Sequence, residues 1–344
     1  MNGANAYFIN KKTIVSYMLS LLVFFIHFRV FSAFKDINGF LGYILDQLLL
    51  LTKVAVPLFF IISGALFYRN YNWAITIKKW KSRFFSLCIP YLTWNTFWLL
   101  LALLGYYTPL GMLLGGVKAP LSLKNVLNGI FLYGYFEPFW FILQLIVLTA
   151  CAPIIYLILK NKWVGLIGIF VYFILSCFGF KFNTILLPNS NMVLVYLIGA
   201  WIGIHHFTVF SSRKSKLHAL IGLFLYILCC VFHGVAELLP DWCLTLQIPL
   251  LVTILSCGAF WTAFDFFDMQ KCPQYMSYSF LIYALHSFIG ASISKILCLF
   301  VPANQGNLAL IAVITFCTTI AIITCIGRLL DTYFPFLKQI LTGR

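Results

Sequence analysis

Charged residues are scarce in this sequence, and acidic residues are the scarcest of all. Asp and Glu together number 8 against 23 Lys and Arg, and the four types make up only 9% of the 344 residues. Hydrophobic residues account for 62%, which leaves too little polar surface to cover a water-soluble protein of this length. A bilayer removes that requirement because its hydrocarbon solvates apolar side chains. The composition therefore indicates an integral membrane protein.

Two further absences narrow the class of protein. The ten-residue alternation of polar and apolar residues that is typical of outer-membrane strands does not occur. Backbone groups inside lipid must be paired within their own segment, so the long apolar runs are expected to be helices. No Cys-x-x-Cys pair or Cys/His metal spacing is found, and most of the 11 cysteines lie within apolar runs. We therefore expect neither a metal site nor a disulfide framework.

The apolar runs predict an all-α, polytopic membrane protein with about ten transmembrane helices, organised as one domain over residues 1–344. Each run is near the roughly 20 residues that a helix needs to cross the hydrocarbon core. The first run is long and lacks a small-residue cleavage site, so we read it as a retained helix. The predicted spans are Ile14–Phe31, Tyr43–Phe67, Phe84–Tyr106, Phe139–Leu159, Trp163–Phe180, Met192–Val209, Leu217–Val235, Leu246–Phe266, Tyr278–Phe300 and Leu308–Leu330.

The distribution of Lys and Arg predicts the orientation. With the N-terminus inside, the loops on the inner side hold most of the 23 cations, beginning with Lys11 and Lys12 before the first span. Both termini are then cytoplasmic. This arrangement accounts for the net charge of +15 through membrane topology and contact with anionic lipid, so no nucleic-acid partner is expected.

Two histidines are candidates for chemistry because ionisable groups inside a membrane are costly. His27 lies past the midplane of the first predicted span, and His286 lies in the ninth. Neutral imidazole can take a proton from a hydroxyl at neutral pH. Tyr283 precedes His286 by three residues and therefore shares its helical face. For His27 the alternative is a packing role, with a hydrogen bond to a neighbouring helix. For His286 the alternative is a structural pair with Tyr283.

Other polar positions have one functional and one structural interpretation each. A basic run at the cytoplasmic face could bind the phosphates of a donor such as coenzyme A, or it could serve as a topology anchor. Arg29, near the outer end of the first span, could point into a cavity or extend towards water. Ser63, followed by a glycine, lies where two helices can approach closely. The basic run consists of Lys78, Lys79, Lys81 and Arg83.

Five sequence segments together carry a family resemblance. They are SYMLSLLVFFIHF ending in His27, VPLFFIISGALFYRNY, KKWKSRFFSLCIPYLTWNTFW, EPFWFILQLIVLTACAP with Trp140, and SFLIYALHSFI near the end. In order and spacing these segments resemble the acyltransferase-3 family of bacterial integral membrane acyltransferases, over nearly the whole chain. Each motif alone is weak evidence for this family, whereas all five in the same order are fairly specific for it.

The resemblance implies transfer of an acyl group, acetyl or succinyl, from cytoplasmic acyl-CoA to a glycan hydroxyl on the other side of a bacterial inner membrane. His27 would be the catalytic residue and the basic run would bind the donor. The residues expected to bind substrate or support the site are Arg29, Ser63, Trp140, Tyr283 and His286. Many family members carry a basic residue where this chain has Ser16 and Leu143, and Gln144 follows the latter.

The leading hypothesis is therefore a membrane O-acyltransferase that uses acyl-CoA and modifies a surface polysaccharide or a lipid-linked sugar. Direct transfer and transfer through an acyl-enzyme both stay open, and no cysteine stands out as a nucleophile. The alternatives are a transporter or exporter of a polysaccharide or small solute, and a structural partner of polysaccharide biosynthesis proteins. The near absence of intramembrane carboxylates speaks against ion-coupled transport.

Overall fold

A computed structural model describes residues 3–27, 39–108, 119–180, 183–235, 240–241, 243, 246–269, 271–301 and 305–343. These residues form helices and turns, with no strand among them. The α-helices are α1 (Gly3–Ile26), α2 (Gly39–Leu50), α3 (Ala55–Tyr68), α4 (Thr76–Arg83), α5 (Ile89–Tyr107), α6 (Leu123–Phe131), α7 (Trp140–Ala150), α8 (Ala152–Leu159), α9 (Lys162–Cys177), α10 (Ser190–His205), α11 (Phe207–Ser211), α12 (Lys216–Gly234), α13 (Ile248–Ala263), α14 (Ser279–Phe300), α15 (Gln305–Tyr333) and α16 (Pro335–Thr342). The prediction of an all-α polytopic membrane protein is confirmed.

The number of membrane spans is lower than predicted. By length and composition, 7 helices in the described part of the chain can cross a membrane, or 8 if one bent pair counts as a single span. The prediction of about ten was too high by this criterion. Helices occur at all ten predicted positions, but three of them depart from a straight, full-length span.

Local chemistry explains two of these three departures, the bend and the end of α9. The predicted span Phe139–Leu159 bends by 65° between α7 and α8, where Pro153 in the first turn of α8 has no N–H to continue the ladder. Helices α9 and α10 have 16 residues each, which corresponds to about 24 Å, against a hydrocarbon core of roughly 30 Å. Gly179, at φ +83°, follows α9 in the left-handed conformation that commonly ends helices.

The chain divides into two compact units. The first comprises Met1–Ile62, Ile174–Gly179 and His206–Leu329. The second comprises Ser63–Phe173, Phe180–His205 and Leu330–Arg344. The organisation of residues 1–344 as one functional domain stays a prediction.

In the first unit, α12 and α13 pack closely. A Cβ atom at Gly222 would lie 2.9 Å from the carbonyl oxygen of Ala259, so the two backbones meet where the side chain is absent. The other face of α12 is apolar and exposed; Phe224, for example, is 66% exposed. An exposed apolar helix face of this kind suits contact with lipid.

The N-terminal helix of the first unit carries a buried ion pair. Helix α1 begins at Gly3, so Lys11 lies inside the helix rather than in a loop before it. Its ammonium is 2.6 Å from the carboxylate of Asp265, and both side chains are 1% exposed. The same carboxylate accepts hydrogen bonds from the Tyr7 hydroxyl at 2.6 Å and the Lys214 backbone N–H at 3.2 Å. The expectation that Lys11 is a loop cation was therefore wrong.

Aromatic rings surround this ion pair. The Lys11 ammonium lies 4.4 Å from the centroid of the Trp261 ring, and that ring stacks on Phe210 at 4.5 Å. Phe8 meets the Trp261 ring edge-on at 6.2 Å. A charge excluded from water gains from such a ring and from a carboxylate that is itself fully hydrogen-bonded. The cluster ties α1 to the end of α13 and to the segment before α12.

In the second unit, α3 and α10 pack through small residues. A Cβ atom at Gly64 would lie 2.6 Å from the Tyr196 carbonyl oxygen, and one at Gly203 would lie 2.5 Å from the Ala65 carbonyl oxygen. Real Cβ atoms do not approach so closely, so only glycine fits at both positions. Ser63, next to Gly64, is half-buried.

We predict that Gly64→Ala destabilises the protein by about 1–3 kcal/mol, because the new methyl group forces α3 and α10 apart. Unfolding of the purified protein in detergent measures the change. Gly258→Ala is the matched control, since open space surrounds Gly258 and alanine is the better helix former. Equal stability of the two variants would contradict the close packing of α3 on α10.

We predict that Asp265→Asn lowers the free energy of unfolding by about 3–5 kcal/mol, because it leaves the Lys11 charge buried without a counter-charge. The double variant Lys11→Met with Asp265→Leu should recover most of the loss. Asp268→Asn is the matched control, since Asp268 pairs with Arg213 at 3.8 Å on an exposed surface and should change stability by at most about 1 kcal/mol. A double variant no more stable than Asp265→Asn would argue against charge as the cause.

Candidate active site

Two imidazole rings meet in the first unit. The ring centroids of His27 and His286 are 5.0 Å apart, where the end of α1 packs against α14. His27 directly follows Ile26, the last residue of α1, and is half-buried, whereas His286 is 0% exposed. Among the described residues, His27 has no hydrogen-bond partner.

The hydrogen bonds of His286 fix its tautomer. Its Nδ1 lies 3.0 Å from the Ile282 carbonyl oxygen and 2.9 Å from the Tyr283 carbonyl oxygen. Carbonyl oxygens only accept, so Nδ1 carries the hydrogen and the neutral ring presents its lone pair at Nε2. The Ser287 hydroxyl lies 2.9 Å from Nε2 and donates to it. His286 is therefore an oriented base with one specific partner.

Aromatic side chains hold the two rings in place. Phe24 packs against the His286 ring at 5.6 Å and stacks on Phe316 at 5.2 Å. Tyr283 contacts His286 at 6.5 Å between ring centroids, so the predicted shared face of these two residues is confirmed. His286 lies near the middle of the candidate span Gln274–Phe300, with about 20 Å of helix on either side. The histidine pair is therefore deep along α14.

The basic run forms α4 in the second unit, and its four cations divide between two faces. Lys78 and Lys81 are exposed, whereas Lys79 and Arg83 are half-buried. The cationic groups of the latter two lie 5.6 and 5.5 Å from the centroid of the Phe67 ring. The exposed pair, three residues apart, is the part of the run that faces outward.

Lys79 has a structural partner at the end of α3. Its ammonium donates hydrogen bonds to the carbonyl oxygens of Phe67 and, at 2.8 Å, of Arg69. Carbonyl groups at a helix C-terminus lack intrahelical partners and carry partial negative charge, so a Lys ammonium stabilises them. Two of the three ammonium hydrogens of Lys79 are thus engaged within the protein.

The remaining predicted site residues fall at several positions. Arg29 lies outside the described residues. Trp140 begins α7, is half-buried and contacts Phe141 at 6.4 Å. Leu143, at one of the two family basic positions, is buried at 7% exposure. Ser16, at the other, is half-buried in α1.

Gln144 fills a polar position beside Leu143. Its side chain is 0% exposed, and its Nε2 donates to the Asn189 carbonyl oxygen at 2.7 Å. Its Oε1 has no hydrogen-bond partner among the described residues. A neutral amide therefore stands next to the position where the family resemblance implies an arginine.

Comparison with known proteins identifies the family. A family model described as "Acyltransferase domain" matches residues 17–328, which is nearly the whole chain and includes both histidines. The chain belongs to the acyltransferase-3 family. No curated protein and no solved structure matches it. Membership supports membrane acyltransferase activity in general, while the residue roles within this acyltransferase stay predictions.

Sequence reasoning missed two features of this acyltransferase-3 protein. The Lys11–Asp265 pair joins residues 254 positions apart, and only the cost of a carboxylate in an apolar run could have drawn attention to Asp265. Ser287 gave no signal, because a serine in a membrane helix usually bonds to its own backbone. Its position against His286 Nε2 is visible only in three dimensions.

We predict that Lys79→Met and Lys78→Met have different consequences in this acyltransferase. Lys79→Met should cost about 1.5–3 kcal/mol of stability, because it removes charged hydrogen bonds to the end of α3. Lys78→Met should leave stability within about 0.5 kcal/mol and instead raise the KM for acyl-CoA. Unfolding in detergent measures the change in stability, and a donor titration measures the change in KM. Equal unfolding curves for the two variants would contradict the role of Lys79 in capping α3.

Proposed function

We propose that this protein transfers an acyl group, with acetyl as the first candidate and succinyl as the second, from cytoplasmic acyl-CoA to a hydroxyl of a surface polysaccharide or a lipid-linked sugar. The observation that carries the proposal is the pair of imidazole rings 5.0 Å apart on α1 and α14 of an acyltransferase-3 protein. Activation of a sugar hydroxyl requires a base within hydrogen-bond reach of its proton.

His27 acts as the general base in this proposal. The acceptor hydroxyl gives its proton to the His27 ring as its oxygen attacks the acyl carbonyl. His286 is less suited to this step because its only lone pair is already occupied by the Ser287 hydroxyl. The half-buried position of His27 leaves room for contact with an acceptor.

The donor binds through its phosphates. Lys78 and Lys81 are exposed on α4 and form the first contact for the phosphates. Arg83, half-buried on the other face, has a planar guanidinium that can bind a phosphate with two hydrogen bonds. Because the cations of the chain supply the counter-charge, no metal is required. The face that carries Lys78 and Lys81 can also contact anionic lipid headgroups.

The proposed location is a bacterial inner membrane, with multiple crossings and both termini in the cytoplasm. The distribution of Lys and Arg supports this orientation, and it requires an even number of crossings, as when α7 and α8 form one span. The donor then comes from the cytoplasmic side of the bilayer and the acceptor from the opposite side. Glycan or lipid-linked sugar is the acceptor partner, and polysaccharide biosynthesis proteins are candidate protein partners.

A transporter or exporter of polysaccharide or a small solute is the alternative. The observation in its favour is the absence of basic side chains at Ser16 and Leu143. Against it, the buried carboxylate of Asp265 is neutralised by Lys11 and so is not available for ion coupling.

We predict that His27→Gln lowers acyl transfer about 10²–10⁴-fold, because glutamine cannot accept the proton. The measurement is mass spectrometry of surface glycans from the wild-type, gene-deletion and His27→Gln strains. The last two should both lack one acetyl or succinyl group per modified sugar.

The control is His218→Gln, the same substitution at an exposed histidine of the first unit, which should leave the glycan ester content unchanged. Full ester content in the deletion and His27→Gln strains, together with reduced polymer export, would refute the enzyme proposal and favour the transporter.

A further inference from the structure

The Ser287 hydroxyl has the geometry of an activated nucleophile. Its oxygen lies 2.9 Å from His286 Nε2, within the range in which a base can take a hydroxyl proton. Serine is a weak nucleophile alone and becomes effective when a neighbouring base removes its proton as it attacks.

A third group orients the base, as a nucleophile–base pair requires. The two carbonyl oxygens of Ile282 and Tyr283 hold the Nδ1–H of His286. They keep the lone pair at Nε2 directed towards Ser287, and they stabilise the positive ring that forms when it takes the proton. The roles of nucleophile, base and orienting acceptor are therefore all filled on one turn of α14.

The exposure of the side chains agrees with the roles of base and nucleophile. His286 is 0% exposed, so water does not compete for its lone pair. Ser287 is only half-buried, in contrast to its base. His27, also half-buried, lies beside the pair, with its ring centroid 5.0 Å from that of His286.

We propose that Ser287 is a nucleophile that carries the acyl group as an ester during transfer. The inference rests on the proposed function. In the first half-reaction, Ser287 Oγ forms a bond to the thioester carbonyl carbon and the carbon–sulfur bond breaks. The Ser287 proton passes to His286 Nε2 and then to the departing thiolate, which leaves as coenzyme A thiol.

The second half-reaction uses the other imidazole. The acceptor hydroxyl attacks the acyl-Ser287 ester, its proton passes to His27, and the carbon–Oγ bond breaks. Ser287 Oγ regains a proton from the histidine pair, so the protein returns to its starting state. The reaction thus has two successive proton transfers, and each imidazole takes one of them. His286 takes the proton of the enzyme serine, and His27 takes the proton of the acceptor.

The test uses the purified full-length protein without an acceptor. An acyl-enzyme exchanges isotopically labelled coenzyme A into unlabelled acetyl-CoA, whereas direct transfer needs the acceptor and gives no exchange. Succinyl-CoA serves as the second probe. Peptide mass spectrometry after incubation with the donor alone should find one acyl group on Ser287.

Three variants accompany the wild type. Ser287→Ala should abolish both the exchange and the acyl-peptide. Ser292→Ala, the same substitution at another half-buried serine of α14, should retain both. His27→Gln should still acylate Ser287 but fail to transfer the group to glycan, because His27 acts in the second half-reaction.

The outcomes separate this inference from the proposed function. Exchange and acyl-Ser287 in wild type, both lost in Ser287→Ala, support the inference. A second outcome overturns the inference and leaves the proposed function standing. In that outcome the glycan esters depend on the gene and on His27, no exchange occurs, and the Ser287→Ala strain has a normal ester content. A reduced ester content in Ser287→Ala without exchange in wild type also overturns it, since Ser287 then only orients His286. Absence of both glycan ester transfer and exchange overturns the proposed function.

Discussion

The buried ion pair between Lys11 and Asp265 fixes α1 at one end, and His27 stands at the other end of the same helix. A helix that slips by one residue moves by about 1.5 Å and turns by about 100°, which would carry His27 away from His286. Apolar contacts with lipid or with neighbouring helices resist such a slip only weakly, because a slipped helix still presents apolar side chains to the same surroundings. A buried charge that must meet its counter-charge favours one register, and we infer this role for the Lys11–Asp265 pair.

The sequence predicts the helices well and their arrangement poorly, because hydropathy is a local property and packing is not. In the described part of the chain a helix occurs at every predicted apolar segment, yet Pro153 bends one of them and two others stop at 16 residues. The sequence predicts that the first span begins at Ile14 and that Lys11 and Lys12 lie before it. Lys11 nevertheless lies within α1, since a carboxylate 254 residues away makes its burial tolerable.

The same distinction applies to the candidate site. His27, His286 and Tyr283 could each be selected from the sequence, because polar groups are conspicuous in an apolar run and Tyr283 and His286 share a helical spacing. Their assembly depends on α1 packing against α14, and no motif encodes that contact. The orientation of the His286 ring depends on backbone carbonyl groups, which every residue has, so the sequence gives no sign of which tautomer is present.

The short distance between the two imidazoles constrains how they can share protons. Two positive rings 5.0 Å apart would repel each other by about 3 kcal/mol at an effective dielectric constant of about 20. The pair therefore favours one proton at a time, and a proton taken by one ring makes the other a poorer acceptor until it is released. Such a pair is suited to proton transfers that follow one another. It is poorly suited to a step in which both rings must be charged, and this favours chemistry that proceeds through separate stages.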